Sequence, residues 1–146
     1  FEIKGMKVFG LADAASYGYE LFTNSDEKYP GYFQEVLAYL ETEEIDIVAV
    51  HRPSVARKLA GSVPLILCGH EHRQQTQVFN GTIIIHGGTT GAAGIRGFQS
   101  ANEIPKSLSV LHFDQVEDRW VLIAIDVINL SIGNNRLTLE RFPFNH

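Results

Sequence analysis

The sequence predicts an α/β fold, a mixed sheet with helices on its outer face. Three observations lead to it. Two apolar runs, 45–51 and 63–68, are separated by a short helical stretch. Residues 32–41 place apolar side chains at helical spacing. From Gln75 onward the chain reads mostly as strands, alternating in a two-residue period over 107–113 and 136–142 and punctuated by turn residues. With 146 residues, 45% of them hydrophobic and 20% charged, the chain is sized and composed for one globular domain with a substantial core.

Taken in order, residues 1–3 and 7–11 are β-prone runs about Lys4-Gly5-Met6 and predict a hairpin. Residues 12–29 are polar, with small residues and aromatics and no clean period, and read as a long loop. Pro30-Gly31 then precedes an amphipathic helix. Tyr32, Phe33, Val36, Leu37, Tyr39 and Leu40 make its apolar face, with Gln34, Glu35 and Glu41 opposite. The run 45–51 is a mostly apolar strand, of the kind buried on both faces. Arg52-Pro53 opens a short helix over 54–59, because proline is tolerated in a first helical turn, and Gly61 is its expected stop. The run 63–68 is the next buried strand. A hairpin follows, with strands 75–79 and 82–85 about the turn Asn80-Gly81. His86 leads into a segment with five glycines: Gly87, Gly88, Gly91, Gly94 and Gly97. Strands 107–113 and 120–128 flank the charged turn 115–118, and 136–142 alternates after Gly133-Asn134-Asn135. No internal repeat, low-complexity tract or linker-like boundary divides the chain. Its first residue is Phe1, and it is expected to be processed or part of something longer.

Several function classes are disfavoured by composition. A net charge of -5 weighs against nucleic acid as a partner, since phosphate binding wants clustered Lys and Arg. One cysteine, Cys68, excludes an internal disulfide framework, and its place in an apolar run marks it as a small buried hydrophobe. No apolar run approaches the ~20 residues needed to cross a bilayer. Asp126 interrupts the best candidate, 121–130, and no signal peptide is visible.

The chemistry concentrates at Cys68-Gly69-His70-Glu71-His72-Arg73 and at His51. Strands joined by a helical crossover are normally parallel, so their carboxyl ends share one sheet edge. His51 and His70 each follow the last apolar residues of such a strand. Though 19 positions apart, they are expected to be neighbours at the edge where open α/β sheets place their sites. Imidazole is the commonest ligand of zinc, iron and manganese. Three convergent histidines, two of them in Gly-His-x-His, favour a metal site over solvated side chains. Two other folds with His-x-His fit poorly. A cupin needs a nearby glutamate and an all-β chain, whereas Gln74, Gln75 and Gln77 stand there and the chain has a crossover helix. A metallo-β-lactamase needs an Asp-His pair where Arg73-Gln74 stands.

Residues 45–98 resemble the C-terminal metal-binding half of calcineurin-like metallophosphoesterases. The matching features are a strand ending in a lone histidine (Ile47-Val48-Ala49-Val50-His51), a helix, a strand entering Gly69-His70-Glu71-His72, and the turn Gly87-Gly88-Thr89-Thr90-Gly91. The segment 62–73, with Gly94-Ile95-Arg96-Gly97-Phe98 downstream, is similar to a bacterial membrane-associated branch of that family. The resemblance implies the C-terminal portion of a four-layer α/β/β/α sandwich with two divalent metal ions (Mn, Fe, Zn or similar). His51 and His70 would bind one ion and His72 the other. A hydroxide between the ions would attack a phosphate mono- or diester.

The family's N-terminal segments Asp-x-His, Gly-Asp-x-x-Asp and Gly-Asn-His-Asp/Glu are not matched here, and Asp13 fits none of them. The catalytic histidine is therefore expected in a missing N-terminal half, the chain's first partner. Alone it should hold metal weakly, be inactive and self-associate, and a non-catalytic assembly or binding module is the alternative. His86 and Arg96 are candidates to face the phosphate-ester substrate, beside structural roles for each. Glu71 is expected to point away from the metals, His112 to be a packed or surface histidine, and the glycines to serve tight turns.

Overall fold

A computed structural model describes residues 1–12, 32–90, 106–131 and 136–144. Most of the expected loop 12–29, the Gly133-Asn134-Asn135 turn and Arg96 lie outside these residues. The chain divides into two compact units, Phe1–His70 with Thr76–Ile85, and Glu71–Gln75 with His86–His146.

The first unit is built on a six-stranded mixed sheet, the α/β class expected from the sequence. Its strands are β1 (Glu2–Ile3), β2 (Met6–Gly10), β3 (Ile47–Val50), β4 (Leu65–Cys68), β5 (Gln75–Phe79) and β6 (Thr82–His86), in the spatial order β1-β2-β3-β4-β6-β5. β1 pairs antiparallel with β2, while β2, β3 and β4 run parallel. The register Val48↔Ile66 and Val50↔Cys68 brings the ends of β3 and β4 level.

Two helices connect the parallel strands. α1 (Tyr32–Thr42) carries Glu35 in its first turn, where a carboxylate complements the helix dipole. α2 (Pro53–Leu59) starts one residue earlier than the apolar pattern indicated, because Pro53 itself takes the first helical position. Arg52 before it is extended (φ -101°, ψ 134°), as the residue preceding a proline must be. Its carbonyl accepts from the N–H groups of Val55 and Ala56, closing the first turn without a side-chain cap. At the far end Gly61 (φ +102°) takes the left-handed backbone that reverses the chain. The Thr82 hydroxyl then accepts from Gly61 N–H (2.8 Å) and donates to Val63 C=O (2.6 Å), fastening the loop before β4 to β6.

Both helices pack on one sheet face. Val36 and Leu40 of α1 and Val55, Ala56 and Leu59 of α2 join Val48, Val50, Ile66, Cys68 and Ile84 in a single core. The sheet residues among them are two apart on each strand, so they share a face. Ile47 and Leu65, which point the other way, are buried too, the pattern of parallel strands covered on both sides. Cys68 is buried, as its apolar neighbours indicated.

The second unit is a three-stranded antiparallel meander, β7 (Lys106–Val116), β8 (Arg119–Ser131) and β9 (Arg136–Pro143), with β8 central. The strands run further than sequence alternation indicated. β7 continues through polar Asp114 and Gln115, and the turn contracts to Glu117-Asp118. Backbone pairing with β8 overrides the polar composition there. A bulge interrupts the register between His112 and Phe113. Gly88, in the glycine segment, has a packing reason: a Cβ there would overlap the Ser107 hydroxyl.

Candidate metal centre

His51 and His70 reach the sheet edge by a simple extension of the ladder. Beyond Val50↔Cys68 one further backbone bond forms, from Gly69 N–H to His51 C=O (3.1 Å). That bond sets the two following turns side by side. His51 Nε2 lies 3.0 Å from His70 Nδ1, with the rings 5.0 Å apart and nearly perpendicular at 77°. Both side chains are exposed. The juxtaposition predicted from the strand–helix–strand order is therefore present.

The backbone at this edge is unusual. His70 (φ +72°) and His72 (φ +57°) both occupy the left-handed region. A side chain there costs roughly 1–2 kcal/mol relative to the right-handed form, and such residues collect at functional sites. The Gly-His-Glu-His segment carries this strain twice within three residues.

The pair is chemically suited to a divalent cation. Two nitrogens at about 2.1 Å from one ion stand about 3.0 Å apart at 90° and about 3.4 Å apart in a tetrahedron, so the observed 3.0 Å separation is that of a right-angled pair. A neutral imidazole also pairs N–H to N at this distance, so the same geometry serves as a hydrogen bond when no ion is held. Among the described residues no group of three or more His, Cys, Asp or Glu side chains is close enough to hold an ion. The expected set is thus assembled in part: His51 and His70 come together, while exposed His72 belongs to the second unit with Glu71.

His86, proposed as a substrate contact, is buried at the end of β6. Its Nδ1 lies 3.8 Å from Glu71 Oε2, within reach of a charge interaction but too far for a hydrogen bond. Glu71 thus faces His86 and not open solvent alone.

Sequence reading missed a polar cluster on the meander. Asp126 accepts from Arg141 in a two-pronged pair, Nε to Oδ1 and Nη2 to Oδ2, both 2.6 Å. His112 Nε2 is 2.8 Å from the same Oδ2. Arg141 faces Asp126 across the β8–β9 ladder, and His112 reaches it from β7. The hydrogen bonds from Arg141 hold the Asp126 carboxyl well below the usual carboxylate range, against the opposing effect of partial burial, and His112 adds to the lowering. The same bonds raise Arg141. The available signal was Asp126 itself, a charge inside an otherwise apolar strand that has to be paired.

No family model matches the chain. No curated protein matches it either. Among solved structures it is similar to Vps29 of Entamoeba histolytica complexed with zinc, at 16% identity over 77% of this chain and 89% of that one, with a TM-score of 0.44. A Vps29 double mutant from the same organism gives 13% identity over the same shares, with a TM-score of 0.40. Vacuolar protein sorting 29 of Cryptosporidium parvum gives 12% identity over 94% and 96%, with a TM-score of 0.36. At these values the likeness assigns neither site residues nor an activity to this chain. No helix among the described residues is long and apolar enough to cross a membrane.

Proposed function

We propose that this chain is the C-terminal part of a metallophosphoesterase-like domain, in which His51 and His70 hold one divalent ion and His72 contributes to a second. The intact domain would hydrolyse phosphate mono- or diesters. One observation carries the reading: two imidazole nitrogens stand 3.0 Å apart at the carboxyl edge of two parallel strands. The sequence order of a lone strand-end histidine, a helix, a strand and Gly-His-x-His supports it independently. Bound cations would supply neutralisation of charge on the phosphoryl oxygens. The Gly69–His51 backbone bond fixes the spacing of the two imidazoles that would hold the first ion, and His70 and His72 each project from a left-handed backbone position. Two imidazoles without a carboxylate make a weak site, so the chain alone is expected to bind metal loosely and to be inactive.

His70→Gly separates ligand from scaffold. Glycine accepts the left-handed backbone, so thermal stability should be unchanged or rise by up to about 1–2 kcal/mol. Zinc or manganese binding, followed by calorimetry, should fall at least tenfold. Unchanged metal affinity in a folded His70→Gly protein would remove His70 from the site and the reading with it.

The alternative is a non-catalytic metallophosphoesterase-like binding module. A longer form carrying the expected N-terminal segments distinguishes the two. Metal-dependent cleavage of an aryl phosphate or phosphodiester, abolished by His72→Ala, selects the enzyme; no cleavage by the metal-loaded protein selects the module.

A further inference from the structure

We propose that β9 is a self-complementary edge, pairing antiparallel with β9 of a second copy about a two-fold axis through Thr138. The inference is independent of the metal centre. β9 ends the order β7-β8-β9, and no strand lies beyond it among the described residues. Phe144 N–H donates to Ile123 C=O, which fixes the phase of the ladder. Alternating back along the register, Phe142, Glu140, Thr138 and Arg136 direct their backbone polar groups to β8. Leu137, Leu139 and Arg141 therefore direct theirs outward, to the open edge.

The side chains then select a register. Arg136 and Glu140 lie symmetrically about Thr138 and carry opposite charges. With Thr138 opposite Thr138 of the second copy, Arg136 faces Glu140, Glu140 faces Arg136, and Leu137 faces Leu139 in both directions. The outward backbone groups of Leu137 and Leu139 then meet each other, as ladder geometry requires. Moving the axis to Leu139 would set Arg136 against Phe142, and moving it to Glu140 would set like charges in contact. Only the axis at Thr138 pairs opposite charges twice.

The apolar side chains agree. Leu137 and Leu139 are 66% and 60% exposed, unusually open for leucine, and share a sheet face with exposed Leu108, Val110 and Leu130. Charges on an edge strand ordinarily prevent such pairing. Here their arrangement permits one partner, a second copy in one register. Pro143, whose missing N–H would also have faced outward, lies past the paired segment and stops its extension.

The test uses the whole chain. Sedimentation at high micromolar concentration should show a reversible dimer. Arg136→Glu or Glu140→Arg alone should weaken it by about tenfold or more, and the double exchange should restore it. Thr138→Cys should cross-link across the axis on mild oxidation, because directly opposed residues of a non-hydrogen-bonded pair stand about 4.5 Å apart, within disulfide range. Circular dichroism establishes that each variant is folded, and a second pair, Leu139→Pro and Leu139→Thr, replaces any variant that is not. A monomer at all concentrations overturns the proposal. So does a dimer indifferent to both single charge reversals, which would assign the contact to another surface.

Discussion

At the scale of single residues, Asp126 shows how a buried charge becomes a pH dependence. Its carboxyl is held below the usual range in the folded protein by Arg141 first and by His112 as well. In the unfolded chain it titrates near the ordinary aspartate value, about 3.9. The folded state therefore binds fewer protons between these values. The stabilisation is full above the unfolded pKa and is lost as pH falls toward the folded one. Melting temperature measured from neutral pH down into strong acid should fall less in Asp126→Asn than in the parent, and the gap between the curves, full above pH ~4, should close below it. Parallel curves would show that the cluster contributes no net pH-dependent stability. Legibility at this scale was uneven. His51 and His70 could be read because each terminates an apolar run, and the crossover rule then brings them together. Arg141 and His112 could not, because their link to Asp126 depends on cross-strand register, which alternation alone does not set.

At the scale of elements, the hairpin turns are where sequence and structure agree most closely. Lys4-Gly5 (φ +51°, +84°), Asn80-Gly81 (+48°, +78°) and Glu117-Asp118 (+48°, +64°) are all two-residue turns with left-handed backbone at both positions. This sign pattern matches the right-handed twist of the flanking strands. The first two turns carry the glycine that the geometry favours, and both were recognisable. The third carries two charged residues, so its position was blurred over 115–118. It is also the strained one. Glu117→Asn with Asp118→Gly should stabilise the second unit by roughly 1–2 kcal/mol, read as a higher denaturant midpoint at unchanged slope. A neutral or lower midpoint would mean that the charges at the turn serve the fold in another way. Helix α2 was equally legible, since Pro53 and Gly61 mark its two ends by opposite physical restrictions.

At the scale of the whole molecule, the two units differ in how their contacts are distributed along the chain. The parallel sheet must bring β2 beside β3, and so residue 8 beside residue 47, before any ladder bond forms. In the meander each strand pairs with its sequence neighbour, and β7 meets β8 across a turn of two residues. Closing long loops costs entropy before contacts repay it, so local pairing is the faster process. The meander should accordingly acquire structure first during refolding. Pulsed hydrogen exchange would then find amides of β7 and β8 protected while those of β3 and β4 still exchange; simultaneous protection would deny the order. The consequence reaches back to the three strands themselves. For as long as the edge carrying His51 and His70 is unformed, the chain already displays an assembled β9 with its outward leucines. An edge proposed to take one partner in one register in the finished protein is thus also the surface on which kinetic partitioning between folding and association is decided, and dilution should favour recovery of the native chain.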